Sequence, residues 1–200
     1  MRDLNISMVG VGGQGVVSMG IILGNAIAKR GLNVVMSEIH GMAQRGGIVT
    51  VDMRIGDVYG PIIPDGKVDI IIGFEALETI RALKRATRET LIIMNTERII
   101  PFTVNIGEEE YPDIEKLIRD LNIKNIVGID AVEIARRNGN LQSVNMVLLG
   151  AAFATDLIPV DQSDIEESIK NQFPERSWNS NLNAFRQGID QYRILTKAYL

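Results

Sequence analysis

The apolar run Leu4 to Val9 stops at Gly10-Val11-Gly12-Gly13-Gln14-Gly15, and a segment long enough for a helix, apolar on most faces, follows from Gln14 to Arg30. A strand, a glycine turn and a buried helix in that order open an α/β sheet. The turn has G-x-G-x-x-G spacing and sits where that spacing has a mechanism, after a strand and at a helix start. Its glycines allow a tight turn and close approach of a ligand, while free N–H groups and the helix dipole favour an anion such as phosphate. The same glycines can serve strand–helix packing alone. Gly20 and Gly24 cost helix propensity but let a neighbouring element come close, and Gly31 is a natural C-terminal cap.

The rest of the chain continues the α/β pattern. Asn33 to Ile39 reads as a second strand, and Ile48 to Ile55 alternates, with Val49, Val51, Met53 and Ile55 on one face. Gly56-Asp57 followed by Val58 to Ile63 carries a hairpin signal. Val68 to Ile72, Leu91 to Met94 and Asn125 to Ile129 are continuous apolar runs of the kind buried in a parallel sheet. Helical stretches lie at Glu75–Ala86 and Ile114–Leu121. Four more follow: Ala131–Arg137, Val144–Thr155, Ser163–Gln172 with Ser163 as N-cap, and Asn181–Ala198 with the stripe Leu182, Phe185, Ile189, Tyr192. The expectation is one domain over residues 1–200, an α/β fold with a Rossmann-like, mostly parallel sheet, an inserted antiparallel hairpin and a helical C-terminal portion.

Composition removes several function classes. A net charge of -4 and a pI near 5.1 offer no broad basic field for nucleic acid or anionic membranes. The absence of cysteine removes disulfides, thiolate nucleophiles and cysteine-held iron–sulfur clusters. No run reaches the roughly 18 apolar residues of a membrane span, and Met1 to Val9 lacks the pattern of a secretory leader, so the expected location is the cytoplasm.

Glu38 lies where a dinucleotide-binding protein places the acid that holds ribose hydroxyls. However, only His40 to Gly47 separate the second and third strands, too few for the crossover helix such a half-site needs. The segment His40-Gly41-Met42-Ala43-Gln44-Arg45-Gly46-Gly47 gathers the single histidine, an arginine fork and three glycines, which suits a clamp on phosphate or carboxylate. The plainer reading is a connector with a solvated arginine. His40 is a candidate proton shuttle, although a histidine beside Glu38 is more often a hydrogen-bonded loop residue. Glu108-Glu109-Glu110 reads as a solvated loop or helix start. No Ser/His/Asp order, metal-ligand cluster or paired-carboxylate spacing stands out, so the chain looks incomplete as an enzyme. A nicotinamide-dependent dehydrogenase and a non-catalytic anion-binding module stay open on these residues.

GVGGQG at Gly10–Gly15 together with SEIHGMAQRGG at Ser37–Gly47 resembles the small subunit of indolepyruvate ferredoxin oxidoreductases. The broader 2-oxoacid:ferredoxin oxidoreductase family shares the glycine turn in its gamma subunit or domain, and NMVLLG at Asn145–Gly150 is also similar. The resemblance implies a heteromeric enzyme that oxidatively decarboxylates aryl pyruvates to aryl-acetyl-CoA and passes electrons to ferredoxin. It places thiamine diphosphate and 4Fe-4S clusters in a large partner subunit, with none held by this chain, and makes CoA a co-substrate. Gly12 to Gly15 and the loop Glu38 to Gly47, Gly46 included, would face that subunit near its active site. Individual roles are not set by the motif; of these residues Arg45 is the best candidate to meet an anionic group, with Gln44 and His40 as polar neighbours and the glycine turn supplying N–H donors. An α₂β₂ assembly is implied, and an isolated copy could form a homodimer by reusing an apolar partner surface.

Overall fold

The computed structural model describes residues 3–41, 47–97, 112–121 and 125–197. Gln44, Arg45, Gly46 and Glu108 to Glu110 lie outside them. Six strands form one sheet: β1 (Leu4–Val11), β2 (Val34–His40), β3 (Ile48–Ile55), β4 (Ile70–Gly73), β5 (Leu91–Asn95) and β6 (Ile126–Ile129), in spatial order β2-β3-β1-β4-β5-β6. Strands β1, β4, β5 and β6 are parallel. Strand β3 is antiparallel to both β1 and β2, so β2 runs in the same sense as β1 with β3 between them.

Seven α-helices cover the sheet among the described residues: α1 (Val16–Lys29), α2 (Ala76–Ala82), α3 (Ile114–Asp120), α4 (Ala131–Arg137), α5 (Val144–Phe153), α6 (Gln162–Gln172) and α7 (Trp178–Lys197). On one face α1, α5, α6 and α7 share a continuous core with the sheet that includes Ile6, Met8, Val51, Met53, Leu23, Leu148 and Phe185. On the other, Val9, Ile71 and Ile92 meet Ile63, Val68 and Ala82. This burial on both faces is why β4 carries no polar alternation. Helices α5 and α7 cross in backbone contact, because a Cβ at Gly150 or Gly188 would overlap the Phe185 or Val147 carbonyl. Gly20 serves as expected, with Met36 and Val51 lying over it.

The fold class expected from the sequence is the one observed, but the hairpin lies elsewhere. The antiparallel pair is β2 with β3, joined through residues 41–47, and Val58 to Ile63 is not a strand. Pro61 and Pro64 withhold the N–H groups a ladder requires. Side chains hold the segment instead. Asn33 Nδ2 donates to Val58 O at 2.7 Å, and Arg54 Nη1 donates to Gly60 O at 2.9 Å. Beneath this strap, Asp52 accepts from Ser7 Oγ at 2.9 Å and from both Arg85 Nη atoms at 2.9 and 2.6 Å. The Asp52 hydrogen bond raises the Arg85 pKa above its ordinary value.

Other boundaries shift for local reasons. The N-cap of α6 is Asp161 rather than Ser163, because Asp161 and Asp164 close a reciprocal capping box. Helix α2 stops at Ala82 and tightens into a 3₁₀ turn at Leu83–Arg85. Helix α7 starts at Trp178, three residues before the expected Asn181, where a 3₁₀ turn after Pro174 leads into it.

Candidate functional site

Strands β1 and β2 both end, and β3 begins, at the edge of the sheet where the parallel strands have their carboxyl ends. That is where open α/β sheets bind ligands. The geometry brings the two sequence motifs together: the Gly12 N–H donates to Gly47 O at 2.9 Å, and the Gly41 N–H donates to Ile48 O at 2.7 Å. Both Gly12 and Gly13 are exposed.

Gln14 braces the turn from inside. Its Oε1 accepts from the Val11 N–H at 2.8 Å, and its Nε2 donates to Phe74 O at 3.1 Å. The same carbonyl accepts from Asn95 Nδ2 at 3.0 Å, while Asn95 Oδ1 accepts from the Ala131 N–H at 3.2 Å. One chain of polar contacts thus ties the carboxyl ends of β1, β4, β5 and β6. Gln14 therefore positions the turn, and its amide is already engaged.

Gly15 caps α1 in a left-handed conformation, φ +80°, and a Cβ there would fall 2.6 Å from Asn145 Nδ2. Its carbonyl accepts from Met19 N–H at 3.0 Å and from Asn145 Nδ2 at 3.5 Å. Asn145, at the head of α5, is buried against the turn. Gly10 is closed in by the Gln14 and Phe74 side chains. With Val11 and Gly12 engaged, the Gly13 and Gly15 amides are the turn's donors that no described residue accepts, and they stand at the positive end of α1.

Glu38 and His40 occupy the end of β2, with Glu38 two residues before the strand's last position. Their side chains lie 3.3 Å apart, and both are exposed to solvent. Because β3 stands between β1 and β2, Glu38 is one strand spacing, about 4.8 Å, further from the glycine turn than in a βαβ dinucleotide half-site. That displacement argues against the dehydrogenase reading.

Two carboxylates at this edge were not singled out in the sequence. Glu75 caps α2 by accepting from the Glu78 N–H at 2.9 Å, and Glu78 accepts from Arg81 Nη1 at 2.6 Å. Burial pushes the Glu78 carboxyl above its ordinary range, against the opposing pull of Arg81. Their three-residue spacing is a capping signal that could have placed them. Among the described residues no group of three His, Asp or Glu side chains could hold a metal, and no helix is long and apolar enough to cross a membrane.

A mixed sheet with a glycine turn bonded to the connection between β2 and β3 defines a class, and comparison with known proteins identifies it. The chain belongs to the family described as Pyruvate ferredoxin/flavodoxin oxidoreductase, which it matches over residues 5–191. It is 45% identical over 189 residues to indolepyruvate oxidoreductase subunit IorB of Methanothermobacter thermautotrophicus, covering 94% of this chain and 96% of that protein. It is 40% identical over 190 residues to the IorB subunit of Archaeoglobus fulgidus, covering 94% of each. Its fold is that of pyruvate oxidoreductase subunit PORC from Thermotoga maritima, with TM-score 0.74, 22% identity and 95% and 97% of the two chains covered. The same TM-score, 0.74, relates it to 32% of a chain of the 2-oxoglutarate:ferredoxin oxidoreductase from Magnetococcus marinus, at 22% identity and over 98% of this chain.

Proposed function

We propose that this chain is the small subunit of a cytoplasmic indolepyruvate:ferredoxin oxidoreductase, working with a larger subunit that holds thiamine diphosphate and 4Fe-4S clusters. Identity of 45% to an IorB subunit, extending across both chains, carries this reading. The absence of cysteine in these 200 residues agrees with iron–sulfur ligation by another chain. The reaction is the oxidative decarboxylation of aryl pyruvates to aryl-acetyl-CoA, with electrons passed to ferredoxin through the complex, and α₂β₂ is the proposed stoichiometry.

Within that enzyme the chain supplies positioning. The Gly13 and Gly15 amides and the α1 N-terminus offer donors to an anionic group, a phosphate of CoA or the carboxylate of the oxoacid. Gly46 and Gly47 let the loop approach, Arg45 adds a two-pronged cation, and Gln44, Glu38 and His40 supply polar neighbours. The carbanion chemistry belongs to the thiamine cofactor of the larger subunit.

The test is anaerobic co-expression with the larger subunit, followed by CoA-dependent reduction of ferredoxin or a dye with indolepyruvate, phenylpyruvate, pyruvate and 2-oxoglutarate. Faster turnover with the aryl pyruvates is expected. Preference for pyruvate or 2-oxoglutarate would reject the substrate, and an isolated chain that binds NAD(P) and takes no partner would reject the subunit.

A further inference from the structure

Helix α4 runs out at Asn138-Gly139, the one place in the chain where a glycine follows an asparagine. In such a pair the backbone nitrogen of the glycine can add to the side-chain carbonyl carbon of the asparagine. A following residue without a Cβ neither shields that carbon nor restricts the rotation that brings the two atoms together. Each of the other asparagines precedes a residue that carries a side chain.

Three features hold Asn138 out of the reacting geometry. Its ψ of 3° turns the Gly139 nitrogen away from the Asn138 Cβ, whereas closing a five-membered ring needs both on the same side of the Cα–C bond. The Gly139 N–H donates to Arg136 O at 2.9 Å, so the attacking nitrogen is engaged in the last turn of α4. Finally, the side chain is gripped on both ends of its amide. Asn138 Nδ2 donates to Ile134 O at 3.0 Å and to Gln187 Oε1 at 3.1 Å, while Gln187 Nε2 donates to Asn138 Oδ1 at 3.1 Å. Both N–H bonds of the amide are therefore used, and so is its oxygen. The first two features belong to α4 itself. The third is supplied by α7 from 49 residues away, through an exposed side chain.

We propose that Asn138 is a deamidation site restrained by Gln187, and that its conversion loosens α4 from α7. In the reaction the Gly139 nitrogen loses its proton and bonds to the Asn138 side-chain carbonyl carbon, the bond from that carbon to Nδ2 breaks, and ammonia leaves. Water then opens the cyclic imide to aspartate or its β-linked isomer. Either product carries a carboxylate where the amide stood, so the donors to Ile134 O and Gln187 Oε1 are both lost. The new negative charge also stands at the carboxyl end of α4, where the helix dipole opposes it. The neighbouring Arg136 and Arg137 are already engaged with Glu133.

The test ages the full purified chain at alkaline pH, below its unfolding temperature, and follows every asparagine by peptide mass spectrometry. Asn138 should convert ahead of the others. Gln187→Ala removes the two bonds from α7 and should speed that conversion about threefold to tenfold, with the other asparagines at their former rates. Gln187→Glu keeps the acceptor, loses the donor and should fall between. Asn138→Asp reproduces one product and should lower the melting temperature, whereas Asn183→Asp at an exposed position of α7 should not. Conversion of Asn138 no faster in either Gln187 variant, another asparagine converting first, or an Asn138→Asp chain as stable as the unmodified one overturns the proposal. The outcome is independent of the proposed reaction, since no catalytic measurement enters it.

Discussion

The Gly12 N–H donates to Gly47 O across 2.9 Å, so the glycine turn and the loop between β2 and β3 form one hydrogen-bonded unit despite 35 residues of separation. A change in either segment is therefore felt in the other, and the expected effects divide by which atoms they touch.

Gly15→Ala should be more damaging than its size implies. The left-handed φ of +80° costs an alanine about 1–2 kcal/mol, and the added methyl meets Asn145 Nδ2. Gly139→Ala shares the strain at φ +72° but meets nothing within 4 Å. Urea unfolding of the two variants should show the larger loss at Gly15, and equal losses would remove the Asn145 contact from the account.

Gln14→Ala removes the bond to Val11 and the bond to Phe74 O and leaves the turn unbraced. A loss of about 1–2 kcal/mol is expected. In the assembled enzyme the variant should raise KM for CoA or the oxoacid. A variant with full stability and unchanged KM would show that the brace does not hold the turn.

Arg45→Ala should raise KM for CoA or the 2-oxoacid by about tenfold with little change in kcat, as expected for loss of an ionic contact formed in the ground state. His40→Gln should leave the pH profile of kcat unchanged if the imidazole is only the exposed neighbour of Glu38. Loss of a limb of that profile would instead make His40 a proton carrier.

Asp52→Ala strands the Arg85 guanidinium beneath the strap of residues 58–63, for an expected cost of about 3–5 kcal/mol. The double variant Asp52→Leu with Arg85→Met should recover much of it, because no unpaired charge is then buried. Thermal unfolding of the three chains distinguishes a buried ion pair from a contact of no consequence.

Glu166 and Arg186 join α6 to α7 through bonds of 2.9 and 2.8 Å. The Arg186 hydrogen bonds hold the Glu166 carboxyl below its ordinary value. The stabilisation is thus fully present above the unfolded carboxylate value of about 4.3 and is lost as pH falls through the lower folded value. Glu166→Gln should cost about 0.5–1 kcal/mol at neutral pH and progressively less in acid. A cost that grows as pH falls would contradict this sign.

The glycine turn, the apolar parallel strands and the alternation of β3 were legible because each depends on neighbours in sequence. The hairpin was misplaced because Gly56-Asp57 is a strong local signal, while the true partner of β3 lies across a loop whose length alone gives no pairing. Pro61 and Pro64 were the available warning. Asn145 could be noticed within NMVLLG, yet its task exists only through contact with Gly15, 130 residues earlier. Asp52 and Arg85 lie 33 residues apart, and nothing local to either announces the pairing that the folded sheet creates.

The crossing of α5 and α7 at Gly150 and Gly188 has a consequence for how the protein is made. Asn145 reaches Gly15 from a helix whose own seat is the backbone of α7, near the carboxyl end of the chain. During synthesis the glycine turn is made before α5 and α7, and it acquires the Asn145 contact only after both have followed. The conformation of the turn is therefore completed by a side chain synthesised 130 positions later.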